Sequence, residues 1–126
     1  MKISIVAALF ASTVAIQPCA SQTDEIHVFI DPVLMSDLYY GYLVNAIKAS
    51  LSAEPFVRHE KPGDGVLVIT ETDKPKIRDG NIEFSVSFFR DRSHLADSVE
   101  TCAAKKVSDC ADQLALDAKS AAAIKD

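Results

Sequence analysis

The chain has 126 residues, with 13 Lys plus Arg against 18 Asp plus Glu and a formal charge of −5. A length of this order holds one domain, and an acidic surface repels phosphate backbones, so nucleic acid is not an expected partner. No phosphate loop, nucleophile elbow, HExxH or EF-hand pattern occurs, and neither an enzyme nor a cofactor is predicted.

The chain opens with a positive charge at Lys2 and an uncharged apolar run from Ile3 to Ile16. That run is shorter than the roughly twenty residues a membrane-crossing helix needs. It breaks at Gln17-Pro18, and small residues at Cys19 and Ser21 precede Gln22. This order predicts a signal peptide over residues 1–21, with a cut after Ala20 as the alternative, and a single periplasmic or secreted domain over 22–126. Loss of Lys2 with the leader takes the formal charge from −5 to −6. Lipidation at Cys19 is the alternative to free release, but Ile16-Gln17-Pro18 does not supply the Leu-then-small residues such a site uses, so membrane anchoring is not expected. The mature chain then keeps Cys102 and Cys110, an even number in a compartment that permits oxidation, and they are expected to be bridged.

Ile26-His27-Val28-Phe29-Ile30 reads as a strand closed by Pro32. From Ser36, a candidate N-cap, to Ala53, the residues Tyr39, Tyr42, Leu43, Ala46, Ile47 and Leu51 form one helical stripe. Glu54-Pro55 stops that helix. A short strand at Phe56–Glu60 and a Pro/Gly turn at 61–65 lead into an interior strand from Val66 to Thr72. Asp73-Lys74-Pro75-Lys76 is a polar excursion, and Asp79-Gly80 is a hairpin signal. In the strand Ile82–Arg90, Ile82, Phe84, Val86 and Phe88 point one way.

From Asp91 or Ser93 onward the chain is alanine-rich without proline or glycine, which favours helix. Eight helical residues would hold the two cysteines about 12 Å apart along the axis, whereas a disulfide needs Cα atoms within roughly 7 Å. The expectation is therefore a helix, a stapled turn at Val107-Ser108-Asp109, and a second helix capped by Ser108 or Asp109 that runs from Cys110 through Leu114, Ala118 and Ala121. The whole predicts an α+β two-layer sandwich in the order β-α-β-β-β-α. A sheet of about four strands, antiparallel or mixed, carries helices on one face, and the final helix is broken and disulfide-stapled.

His27, His59 and His94 are the candidate acid/base residues, and neighbouring strands would bring His27 near His59. The competing reading is two solvent-exposed side chains, and convergence of His27, His59 and Asp31 in one pocket is what a catalytic role requires. A metal site from His94, Cys102 and Cys110 lacks a fourth ligand. Tyr39 and Tyr42 are expected in the core, while Tyr40 and Phe89 are candidate interaction residues; for Phe89 the alternative is burial beneath the C-terminal helices.

In element order and size, Ile26 to about Ala118 resembles small bacterial envelope modules such as the TolB N-terminal domain and the LptE-like or auxiliary-lipoprotein domains. That resemblance implies a non-catalytic binding or assembly module whose partner is another envelope protein. The alternatives are a secreted inhibitor or immunity-type protein for a basic hydrolase, and a small envelope enzyme.

Overall fold

The computed structural model describes residues 24–38 and 41–125. The expected signal peptide at 1–21, Cys19, Tyr39 and Tyr40 lie outside the described residues. The elements are β1 (Ile26–Ile30), α1 (Pro32–Asp37), α2 (Gly41–Ser50), β2 (Phe56–His59), β3 (Leu67–Arg78), β4 (Asn81–Arg90), β5 (Ser93–Ala103) and α3 (Val107–Ala122). They form an α+β domain around one mixed sheet in the order β2-β1-β3-β4-β5. β1 runs parallel to β2 and β3, and the β3-β4-β5 meander is antiparallel. Among the described residues, no helix is long and apolar enough to cross a membrane.

Alternation along the strands sets the core. Val28, Ile30, Leu67, Ile69, Ile82, Phe84, Val86 and Phe88 all turn to one face and are buried. Leu43, Ile47 and Leu51 of α2 and its following turn cover them, together with Ala111, Leu114, Ala118 and Ala121 of α3. The two helices also pack on each other, so both lie on the same side of the sheet.

The predicted helix over 36–53 is two helices. Asp31, not Ser36, caps the first, accepting a 2.9 Å hydrogen bond from the Val33 backbone N–H, and Pro32 occupies the first turn, where a missing N–H costs nothing. The chain leaves helical geometry at Leu38, which is extended, so that Leu34 and Leu38 both reach the core before α2 begins. Tyr42 is not a core residue: it is 83% exposed, because the buried stripe follows Leu43, Ile47 and Leu51 and Tyr42 sits one helical step, about 100°, away from it.

Residues 93–103 form a strand, not the first arm of a helix, so the sheet has five strands. Asp91 and Arg92 both have positive φ, 50° and 72°, which is the backbone of a two-residue hairpin whose twist matches the flanking strands. The disulfide between Cys102 and Cys110 is present, with Cα atoms 5.3 Å apart. It joins the end of β5 to the first turn of α3, so the stapled turn connects a strand to a helix. The cap expected at Ser108 or Asp109 is absent, since α3 begins at Val107 after Lys106 with no side-chain cap bond.

β3 also extends through the polar excursion to Arg78, and register shifts between Glu71, Asp73 and Lys76 accommodate Pro75 there. The expected hairpin turn is present: Asp79 and Gly80 have φ of 51° and 78°. The antiparallel pairing of β3 and β4 is present with it.

Candidate functional site

With the helices on one side, the other face of the sheet carries a cross-strand row through all five strands. His59 lies opposite Phe29, Phe29 opposite Val68, Val68 opposite Phe89, and Phe89 opposite His94. Each of these residues except the exposed His94 is half-buried or buried. Phe89 therefore points away from α3, and burial beneath the C-terminal helices is not its fate; its ring meets His94 edge-on at a centroid distance of 5.3 Å. Leu95, the extra residue of a bulge opposite Phe88 and Phe89, keeps His94 on this face and packs against the core instead.

The connection from β2 to β3 crosses this open face. Pro62, Gly63 and Asp64 form one wall of a groove of about 430 Å³, Asp91 and Arg92 form the other, and Val68 and Phe89 line the floor. The walls are tied together where the Asp91 carboxylate accepts a 3.0 Å hydrogen bond from the Gly65 N–H. Gly65 has a φ of 72°, a backbone that a side chain would strain.

The strand pairing brings His27 and His59 together. His27 Nδ1 is 2.7 Å from His59 Nε2, with ring centroids 4.9 Å apart and planes tilted by 50°. Glu25 Oε1 lies 3.6 Å from His27 Nε2, on the far side of the ring from His59. Asp31 does not join them, because its carboxylate is engaged at the N-terminus of α1. Glu25, His27 and His59 therefore form a carboxylate–imidazole–imidazole chain that Asp31 does not join.

His94 lies in a separate polar chain. Thr72 Oγ1 and Ser87 Oγ are 2.8 Å apart, Ser87 donates to Asp97 Oδ1 at 2.6 Å, and His94 Nε2 is 2.8 Å from the same oxygen. The Ser87 hydrogen bond, then that of His94, holds the Asp97 carboxyl below its ordinary value. Acyl transfer needs histidine between the hydroxyl and the carboxylate; here the carboxylate is between, and it is a weak base. The cysteines are bonded to each other and do not ligate with His94. No group of three His, Cys, Asp or Glu side chains that could hold a metal occurs among the described residues.

On the covered side, Glu100 is fully buried beneath α3. Ser98 Oγ donates to its Oε2 at 2.6 Å, and its Oε1 has no donor. Burial pushes its pKa up to about 7, and the nearby Asp117 carboxyl adds to the rise against the lowering by Ser98. Glu71 is also raised, first by burial and then by Asp37.

The sequence reading found Phe89 and the histidines but missed Val68, Ser87, Asp97, Glu100 and Asp117. The signal for Ser87 and Asp97 is the register of a hairpin turning at 91–92, which the helix expected over 93–103 conceals. Comparison with protein-family models, with curated proteins and with solved structures finds no match for this chain.

Proposed function

We propose that the chain is an exported, non-catalytic binding module that engages another envelope protein through the open face of its sheet. The observation that carries this reading is the groove of about 430 Å³ with Val68 and Phe89 as its floor. A volume of this order is typical of recognition sites, and a half-exposed aromatic in a concavity is the usual anchor of an interface. The walls supply two acids, Asp64 and Asp91, against one cation, Arg92, and the whole chain is acidic. The occupant is therefore a cationic side chain of the partner, with its aliphatic stem on Phe89 and Val68 and its charge toward Asp64. The disulfide and the apolar leader support export.

Affinity purification of the tagged mature protein from its own cell envelope, beside a Phe89→Asp variant, tests this. The expected result is an envelope partner held by the wild type and lost from the variant, with both giving the same far-UV circular dichroism. Equal recovery by the two, or a wild type that elutes alone, overturns it. A single stoichiometric basic hydrolase would favour the inhibitor reading over assembly.

A further inference from the structure

A second concavity lies at the carboxyl ends of the parallel strands. The connection leaving β1 passes through α1 and α2 on the helix-covered face, whereas the connection leaving β2 crosses the open face to reach β3 on the far side of β1. The chain thus departs in opposite senses from two neighbouring parallel strands, and such a switch point opens a crevice outside their carboxyl ends, where open sheets with parallel strands bind ligands. In this protein the crevice is a cleft of about 210 Å³.

Its lining divides by chemistry. Ile30, Pro32 and Met35 give it an apolar lining on the helix-covered side, where Lys48 from α2 and Arg58 from β2 also lie, while Phe29 and His59 border it from the open face. Glu60 is the one acid there. Two cations against one carboxylate is a local excess of positive charge in a chain of formal charge −5, and Lys48 and Arg58 come from different elements that only the fold brings together. Arg58 is further oriented by a 3.3 Å hydrogen bond from its Nε to Ser52 Oγ, which leaves the two terminal nitrogens of the guanidinium to form the planar fork that suits a carboxylate.

We infer that this cleft is a binding site for a small organic carboxylate with an apolar body, the carboxylate between Lys48 and Arg58 and the body on Ile30, Pro32 and Met35. The volume limits the ligand: pockets for drug-sized molecules measure roughly 300–1,000 Å³, so for a cleft of about 210 Å³ a single ring or a short branched chain is the fitting size. The site is distinct from the groove at Phe89 and stands whether or not that groove binds a protein.

Amide-resolved NMR titration of the mature protein tests the inference with three probes: benzoate, acetate and benzyl alcohol. Benzoate is expected to shift Ile30, Lys48 and His59 saturably at millimolar concentration, with acetate and benzyl alcohol at least tenfold weaker because each lacks one half of the recognition. A Lys48→Gln/Arg58→Gln double variant, which changes only exposed side chains, is expected to weaken benzoate at least tenfold. Absence of benzoate binding, shifts centred elsewhere, benzyl alcohol binding as tightly as benzoate, or an unchanged affinity in the double variant would each overturn it.

Discussion

Replacing Glu100 by glutamine should remove much of the stability loss that this domain undergoes as the pH rises from 5 to 8. Glu100 is 0% exposed beneath α3, and its pKa rises from 4.5 to about 7 in the folded chain. A raised carboxyl binds its proton more tightly folded than unfolded. Stability from this group is therefore fully present below about pH 4.5 and is lost as the pH climbs through the folded value near 7. At about 1.4 kcal/mol for each pH unit the pKa moves, the loss is on the order of 3 kcal/mol by pH 8. The amide of the Glu100→Gln variant keeps an acceptor for Ser98 and offers Asp117 a donor, but never ionises. Urea unfolding at fixed pH between 5 and 8, followed by far-UV circular dichroism because the chain has no Trp, is the assay. The two proteins should be nearly equal at pH 5, and E100Q more stable by roughly 2–3 kcal/mol at pH 8. Glu71 titrates in the same sense in both proteins and cancels in the difference. Parallel profiles across that range would refute the argument.

Four further outcomes follow from the packing. Arg90 donates through its two terminal nitrogens to the carbonyls of Ala122 and Ile124 at the end of α3; Arg90→Ala should cost about 1 kcal/mol and speed amide exchange in the last turn of that helix. The mature protein should show no alkylatable thiol without reductant and two with it, and Cys102→Ser/Cys110→Ser should lose about 2–3 kcal/mol in urea unfolding. Leu43→Ala should cost about 2–5 kcal/mol as a core truncation, whereas the neighbouring Tyr42→Ser should stay within about 0.5 kcal/mol, the reverse of what a buried Tyr42 would give. Asp97→Asn should flatten the acid limb of stability below pH 3.8, because the depressed carboxyl loses its contribution as the pH falls through its folded value.

Much of the fold was legible where one side-chain period dominated. β4 alternates cleanly from Ile82 to Phe88, and each of its four apolar residues is buried as that period requires. The disulfide was legible because removal of the expected leader would leave an even pair, Cys102 and Cys110, and helical geometry forbids joining them without a turn. β5 was hidden by its own small covered-face residues, Ala96 and Ser98, which face the helix side. The alanines that suggested helix belong chiefly to α3, and averaging over both segments blurred a period of two with a period of 3.6. α1 is concealed because Pro32 serves both as the stop of β1 and as the opening of a helix capped by Asp31.

The site was less legible, since it depends on register between distant segments. The row from His59 to His94 joins five strands, and no spacing in the sequence encodes which residues stand opposite each other. The hydropathy of Phe29, Val68 and Phe89 fitted core positions as readily as an open face. Only the placement of α2 and α3 on the opposite side distinguishes them.

The claim that the open face binds a partner is tested most directly by photocrosslinking in the native cell envelope, with a photoreactive amino acid placed at Phe89 or at Leu116, which is 62% exposed on the outer side of α3. The account predicts a discrete adduct with an envelope protein from position 89 and none from position 116. An adduct from 116 with none from 89 would contradict it.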